Sequence, residues 1–269
     1  SSHLSSRTIF GSRLALKRTR AHIVMAAATS ASEPLCEPAH QVDKAQKLIH
    51  VGPAKGRQHT ATVLMLHGFG DSAAGWFEPA MFWAQRLPHV RFVLPTAPVS
   101  NTMGTTSWFD FGGGDMASTF DASVRALGAL IQQEEAVVGA GCIVVAGFSQ
   151  GGALAYHLGL TRAGQRLGGV VAMSTFLLPE VDSKFSADAR ETPILICHGT
   201  ADDRIPGGAD GARRARERLV KFGVSNVELK IYEGMGHSAT DGELLDILQW
   251  LRHTLPSDAS SSAAPGSRL

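Results

Sequence analysis

The segment Gly147-Phe-Ser-Gln-Gly-Gly152 lies between an apolar run, Ile143-Val-Val-Ala146, and a helix-compatible run. A serine flanked by glycines between a strand and a helix is the pattern of a nucleophile elbow. The turn is so tight that side chains two positions before and after the serine would collide with neighbouring backbone, and glycine removes that clash. The segment therefore predicts that Ser149 stands above the sheet edge, at the start of a helix, where its hydroxyl can attack a carbonyl carbon.

Apolar runs and helical patterns alternate through the middle of the chain. Several runs are continuously apolar, as expected of parallel strands covered on both faces. The predicted strands are Leu48–Val51, Thr62–Leu66, Val90–Leu94, Ile143–Ala146, Gly169–Met173, Ile194–Cys197 and Val227–Tyr232, and the predicted helices include Ser118–Ala136, Gly208–Phe222 and Asp241–Leu251. The alternation predicts an α/β fold with an open, mostly parallel central sheet and helices on both faces. Functional loops should follow the carboxyl ends of the strands.

Length and composition suit one large α/β domain. The chain has 269 residues, is 44% hydrophobic and carries a formal net charge of +1, which gives no electrostatic reason to expect nucleic acid as a partner. The three cysteines have no paired spacing, which argues against a disulfide framework or a Cys/His metal site and favours a reducing compartment. No apolar run approaches the ~20 residues of a transmembrane segment. No metal or cofactor is implied.

The two ends of the chain differ from the middle. Residues 1–32 contain no Asp or Glu, and their basic residues are Arg7, Arg13, Lys17, Arg18 and Arg20. This composition resembles an organelle transit peptide, and targeting by residues 1–24 is one interpretation. The favoured one is an upstream extension with Met25 as the natural start, which predicts a cytoplasmic protein. The predicted organisation is an extension over 1–44, a catalytic domain over 45–255 and a disordered tail over 256–269.

A serine nucleophile needs an imidazole to accept its proton, and in α/β-hydrolases the order along the chain is Ser, acid, His. His198 directly follows a strand, too early to leave a loop acid before it. His253 ends the terminal helix, where the helix dipole favours a solvated imidazolium. His237 lies in the glycine-rich loop Glu233-Gly-Met-Gly-His-Ser238, between the last strand and the last helix. It is the predicted base.

The acid should lie in the loop after the preceding strand. Asp202 and Asp203 both follow Ile194–Cys197 directly. A carboxylate there would hold the His237 tautomer and stabilise the imidazolium that forms. Spacing alone does not separate the two aspartates.

The oxyanion hole needs backbone N–H groups that point at the tetrahedral oxygen. One is predicted from Gln150, the residue after the nucleophile. The other is predicted from Phe69, in the loop Leu66-His-Gly-Phe-Gly-Asp71 after an early strand.

The motifs together resemble those of the acyl-protein thioesterases, in the phospholipase/carboxylesterase family, whose members are also called lysophospholipases. The resemblance covers roughly residues 45–255. It rests on Leu66-His-Gly-Phe-Gly-Asp71, Pro95-Thr-Ala-Pro98, Ser107-Trp-Phe-Asp110, Gly147-Phe-Ser-Gln-Gly-Gly-Ala153, Cys197-His-Gly with Asp202 and Pro206, and Tyr232-Glu-Gly-Met-Gly-His-Ser238.

This resemblance implies an α/β-hydrolase fold and a small cytosolic serine esterase that removes palmitoyl groups from cysteine thioesters and also cleaves lysophospholipids. The family's His-Gly-x-x-Asp pattern matches Asp202 as the acid of the triad. The family usually has Leu where Phe69 stands, and its segment after Trp-Phe-Asp is longer and more acidic than residues 111–117 here. S-acylated proteins or lysophospholipids are therefore the expected partners, and a weak homodimer is expected at most.

Candidate substrate-binding side chains come from two loops. By resemblance, Trp108 and Phe109 lie beside the serine, although buried packing is an equal alternative. The second loop supplies Phe176, Leu177 and Leu178, which follow the strand Gly169–Met173 and line an acyl groove or belong to the core. The segment between this strand and the next is only about 20 residues long, too short for a helical cap domain. An open site is therefore predicted.

Two other functions compete with protein deacylation. A lysophospholipase or general carboxylesterase would use the same triad and differ only in its leaving group. A hydrolase-fold binding protein without turnover is a remoter alternative, which the complete set of Ser149, Asp202 and His237 argues against.

Overall fold

The computed structural model describes residues 35–111 and 115–257, and the strands in these ranges form one sheet. The strands are β1 (Pro38–Asp43), β2 (Leu48–Ala54), β3 (Ala61–Leu66), β4 (Val90–Pro95), β5 (Ile143–Phe148), β6 (Gly169–Met173), β7 (Ile194–Gly199) and β8 (Val227–Tyr232). The α-helices are α1 (Phe77–Ala84), α2 (Met116–Val138), α3 (Gln150–Leu160), α4 (Glu180–Lys184), α5 (Gly208–Lys221) and α6 (Asp241–Thr254).

The sheet has the order β1-β2-β4-β3-β5-β6-β7-β8. The pairs β1/β2 and β2/β4 are antiparallel, and all other neighbours are parallel. The predicted mostly parallel sheet is therefore confirmed. Its central strands place their carboxyl ends at one edge, where the loops after β3, β5, β6, β7 and β8 meet.

Helices cover both faces of the sheet, which explains why the central strands are continuously apolar. Successive residues of a strand face opposite sides. In β4, Val93 joins the core cluster that contains Leu127 of α2. Its neighbour Phe92 stacks on Trp83 of α1, with ring centroids 5.9 Å apart. The Trp83 indole also donates to the Leu244 carbonyl of α6 at 2.9 Å, so α1 and α6 are joined on this second face.

Strand β1 lies inside the range 1–44 that the sequence assigned to an extension, so the boundary predicted at residue 45 is wrong. Residues from Pro38 to Asp43 pair with β2. Most of their side chains are exposed, so the strand shows no apolar alternation and is held by backbone hydrogen bonds at the sheet edge. Residues 1–34 and 258–269 lie outside the described residues, and the interpretations of the segment 1–24 and of the tail remain predictions.

The described helices also bear on membrane insertion and on capping. Within residues 35–111 and 115–257, no helix combines the length and apolar character needed to cross a membrane.

The cap of α2 is Asp115, whose carboxylate accepts from the Ser118 amide at 3.0 Å. The cap of α6 is Thr240, whose hydroxyl accepts from the Glu243 amide at 3.4 Å.

Glu243, in the first turn of α6, is fully buried. Its side chain is 0% exposed, and neither carboxyl oxygen has an aligned hydrogen-bond partner. Burial raises the pKa of Glu243 to about 8, opposed by the Thr240 amide and reinforced by Asp246. The folded protein therefore keeps this carboxyl protonated at neutral pH, where the unfolded chain would release the proton.

This gives a prediction for stability against pH. Glu243 has a raised pKa in the folded state, so its ionisation in the unfolded chain costs stability progressively between about pH 4.5 and pH 8. Glu243→Gln keeps the neutral form at every pH. We expect its stability relative to the wild type to grow by about 1.4 kcal/mol for each pH unit across that interval, measured as Tm against pH.

The matched control is Glu233→Gln, at an exposed position in the preceding loop. It should leave the pH dependence of Tm unchanged. A Glu243→Gln curve parallel to that of the wild type would show that the buried carboxyl is already ionised.

Candidate active site

Ser149 stands on a strained turn between β5 and α3. Its backbone has φ of 53°, in the left-handed region that side chains rarely adopt. A Cβ atom at Gly147 would lie 2.3 Å from the Gly151 carbonyl oxygen, and one at Gly151 would lie 2.4 Å from that of Leu66. Glycine is therefore required at both positions, for the steric reason expected from the sequence.

The structure brings together the three residues predicted for the triad. Nε2 of His237 lies 3.0 Å from the Ser149 Oγ atom. Nδ1 of the same ring lies 3.0 Å from Oδ2 of Asp202. In the tautomer that fits both contacts, the serine hydroxyl donates to Nε2 and Nδ1–H donates to the carboxylate. A proton can then pass from serine to imidazole while the carboxylate stabilises the positive charge.

Asp202 contacts His237 and Asp203 does not. The Asp202 side chain is buried, whereas that of Asp203 is 88% exposed and lies near the Arg204 guanidinium. Burial alone would raise the pKa of Asp202. Hydrogen bonds from His237 and from the amides of Arg204 and Ile205 outweigh it and hold that pKa below its usual range. The carboxylate is therefore ionised at neutral pH.

The loop after β3 lies beside the nucleophile. A Cβ atom at Gly68 would lie 3.3 Å from Ser149 Cβ, so the adjoining Phe69 amide is close to the serine. Within the described ranges, the Phe69 amide has no backbone acceptor. Gln150 is the first residue of α3, and amides of a first helical turn have no intrahelical acceptor. Both amides predicted for the oxyanion hole are thus free to bind an oxygen.

His67 holds this loop in place through one ring tautomer. The Ala97 amide, which can only donate, lies 2.9 Å from Nε2 of His67. Nδ1 therefore carries the ring proton and donates it to the Gly68 carbonyl at 2.6 Å. Burial lowers the pKa of His67, against the opposing effect of that carbonyl, so the neutral ring is retained.

The Gln150 side chain ties the elbow to the loop that contains Trp108 and Phe109. Its Oε1 accepts from the Trp108 amide at 2.9 Å, and its Nε2 donates to the Phe109 carbonyl at 2.6 Å. The Trp108 indole donates to the His67 carbonyl at 2.8 Å. Trp108 and Phe109 are 3% and 0% exposed, so of the two alternatives that the sequence left open, buried packing holds for both side chains.

The loop after β6 requires a similar correction. Leu177 and Leu178 are buried in the core cluster, so the core alternative holds for them. Phe176 is only partly buried against that cluster and stays a candidate for substrate contact. The exposed aromatic surface on the loops after β3 and β4 is instead a pair, Phe69 and Phe111, which are 40% and 37% exposed with centroids 5.7 Å apart.

Sequence reasoning missed two residues that orient the reacting groups. The Phe148 ring packs against the His237 imidazole with centroids 4.8 Å apart. The Thr175 hydroxyl donates to the Ser149 carbonyl at 2.6 Å, which supports the strained turn. The contact of Phe148 with His237 could have been predicted from the sequence, because Phe148 directly precedes the nucleophile that His237 must reach. Thr175 offered none, because its contact depends on how β6 ends.

Two further features lie outside the triad. In residues 35–111 and 115–257, no group of three or more His, Cys, Asp or Glu side chains is placed to hold a metal ion.

A groove of about 780 Å³ runs along α2 and is lined in part by Trp108. Ser149, Asp202 and His237 are not among its lining residues. The chemistry therefore depends on the open surface beside Ser149 rather than on this groove.

Comparison with known sequences places these features in context. The family model described as Phospholipase/Carboxylesterase matches residues 51–255. The chain is 37% identical to acyl-protein thioesterase 1 of Gibberella zeae, over 74% of this chain and 92% of that protein. It is 39% identical to acyl-protein thioesterase 1 of Yarrowia lipolytica, over 76% and 95% respectively.

Solved structures give the same picture. Arabidopsis thaliana SOBER1 is similar with a TM-score of 0.65 and 29% identity, covering 72% of this chain and 99% of that one. Zea mays acyl-protein thioesterase 2 is similar with a TM-score of 0.65 and 28% identity, covering 78% and 99%.

The two adjacent aspartates allow a matched test of the site. Asp202→Asn should lower kcat by about 10³-fold or more, because the amide no longer holds His237 in the tautomer that accepts the serine proton. Asp203→Asn, one residue away on an exposed side chain, should keep nearly full kcat. Ester hydrolysis at pH 7.5 measures both, with Ser149→Ala as the inactive reference. Equal losses in the two aspartate variants would contradict the assignment.

A second prediction concerns the Gln150 side chain. Gln150→Met keeps the backbone amide and the side-chain length but leaves the Trp108 amide and Phe109 carbonyl without their partner. We expect a loss of about 2 kcal/mol, or a fall in Tm of about 5 °C, together with reduced kcat. Gln132→Met, at an exposed position of α2, is the control and should change Tm little. An unchanged Tm in Gln150→Met would show that the loop is held by other contacts.

Proposed function

The chain belongs to the phospholipase/carboxylesterase family and is a hydrolase, and we propose that it removes acyl groups from cysteine thioesters of acylated proteins. The observation that carries this proposal is the continuous contact from Ser149 through His237 to Asp202. Relatives at 37% and 39% identity bear the name acyl-protein thioesterase 1.

In the proposed reaction, Ser149 Oγ attacks the thioester carbonyl carbon while Nε2 of His237 accepts the hydroxyl proton. The amides of Phe69 and Gln150 bind the negative oxygen of the tetrahedral intermediate. The carbon–sulfur bond then breaks, and His237 returns its proton to the leaving sulfur, which frees the cysteine thiol. Water then attacks the carbonyl carbon of the acyl-serine ester while Nε2 of His237 accepts its proton. The bond to Ser149 Oγ breaks, His237 returns the proton to that oxygen, and the fatty acid leaves.

An acylated protein as substrate is supported by the open surroundings of the serine. Between β6 and β7 the chain forms only the short helix α4 and a 3₁₀ turn, so no cap covers the nucleophile from that side. The exposed rings of Phe69 and Phe111 offer apolar surface for an acyl chain next to the oxyanion amides. A bulky leaving group can then remain outside while its acyl chain is bound.

A cytoplasmic location belongs to the same proposal. Cys36, Cys142 and Cys197 are free thiols, which suits a reducing compartment.

The substrate is tested by a panel of S-acyl-cysteine peptides of increasing chain length. Since each buried methylene contributes about 0.8 kcal/mol at most, kcat/KM should rise from acetyl towards long acyl groups. Phe69→Ser keeps the backbone amide, and it should lower kcat/KM for the long-chain peptide several-fold more than for the acetyl peptide. Val137→Ser, exposed on α2, is the control and should lower neither.

The same panel separates the competing functions. Acetyl esters as the best substrates would indicate a small-ester carboxylesterase. A higher kcat/KM for lysophosphatidylcholine than for every acyl-cysteine peptide would indicate a lysophospholipase. Absence of turnover and of labelling by a fluorophosphonate would indicate a binding protein.

A further inference from the structure

A second buried imidazole contacts the carboxylate that orients His237. His198 lies in β7, four residues before Asp202, and its side chain is 0% exposed. Nε2 of His198 lies 3.2 Å from Oδ2 of Asp202. That oxygen is also the one that lies 3.0 Å from Nδ1 of His237. Two imidazoles therefore share a single carboxylate oxygen.

The other oxygen of the carboxylate is already occupied. Oδ1 of Asp202 accepts from the amides of Arg204 and Ile205, at 3.0 and 3.2 Å. The group is thus held on one side by backbone and contacted on the other by the two histidines. Any change at His198 acts on Oδ2, the oxygen that His237 uses, and leaves the backbone contacts in place.

We propose that His198 is a positioning residue for the triad: its neutral imidazole places the Nε2–H dipole beside Oδ2 of Asp202, fixes the carboxylate and limits the negative charge that reaches His237. The proposal rests on the function proposed above. It adds a residue that touches neither substrate nor nucleophile and acts through Asp202.

The neutral form of His198 follows from its surroundings. Burial lowers the pKa of His198, Asp202 opposes this effect and His237 adds to it. Among the described residues, Asp202 and His237 are the two titratable groups that act on the ring. A neutral ring avoids repulsion with the imidazolium that forms on His237 during the reaction. Nε2 is then the protonated nitrogen, because a ring lone pair 3.2 Å from Oδ2 would repel the carboxylate.

The contact is short but not aligned as a full hydrogen bond, and in the described residues neither ring nitrogen of His198 has an aligned partner. A buried histidine kept only for its volume would be replaceable by any apolar side chain of similar size. A histidine kept for its dipole is replaceable only by a group with an N–H at the same place. This difference makes the proposal testable.

The test compares His198→Met with His198→Gln. The two side chains have similar length and shape, but only Gln has an N–H near the position of Nε2. The readout is the rate of covalent labelling of Ser149 by a fluorophosphonate between pH 5 and pH 9, because this rate follows the protonation of His237 and needs no knowledge of the natural substrate. Thermal unfolding checks that each variant is folded.

In His198→Met, Oδ2 loses a compensating dipole and stabilises the imidazolium of His237 more strongly. We expect the pH of half-maximal labelling to rise by about half a unit or more, and His198→Gln to restore most of the wild-type profile. Should His198→Met not fold, His198→Asn replaces it, because its amide is too short to reach Oδ2 and the same upward shift is expected.

Identical profiles for the wild type and the variant without the N–H would overturn the proposal and leave His198 a packing residue. An equal shift in His198→Gln would overturn it as well, because the dipole would then be irrelevant. A wild type that is not labelled at any pH contradicts the proposed function instead, so the two failures are distinguishable.

Discussion

The site depends on one steric constraint, the close approach of backbone at the turn from β5 to α3. Carbonyl oxygens of Leu66, His67 and Gly151 occupy the space that side chains at Gly147 and Gly151 would need. Because the backbones come this close, the loop after β3 and the start of α3 lie on either side of Ser149. The serine is partly exposed between the two amides as a result, and backbone strain at its positive φ accompanies that position.

Buried polar contacts hold this turn in place. The Thr175 hydroxyl binds the Ser149 carbonyl, the Gln150 side chain binds the loop of Trp108, and the Trp108 indole binds the His67 carbonyl. The Thr175 and Trp108 indole contacts each join loops that follow neighbouring strands, and the Gln150 contact joins the elements that follow β5 and β4, the two strands that flank β3. Buried hydrogen bonds are directional and costly to leave unmade, so together they select one arrangement of the loops. Apolar packing alone would permit several.

The burial of the aromatic and leucine side chains in the loops could not be predicted from the local sequence pattern. Trp108, Phe109 and Leu178 are core residues, whereas Phe69 and Phe111 are exposed. All five lie in irregular segments, where neither the period of a strand nor that of a helix tells which side faces the core. Their burial is decided by the direction in which each loop folds back, and that direction depends on partners distant in sequence.

Local sequence pattern was enough to predict the strands β2 to β8 and the helices α2, α3, α5 and α6, because continuous apolar runs, helical periods and glycine punctuation are local properties. It did not predict the short helices α1 and α4. It also determined Ser149 and His237, since each lies in a glycine-rich segment beside a predicted strand. Only the tertiary structure showed β1, which has exposed side chains and pairs through backbone. Spacing left Asp202 and Asp203 equal, and the fold decided between them because adjacent side chains in a loop point in different directions and only one faces His237.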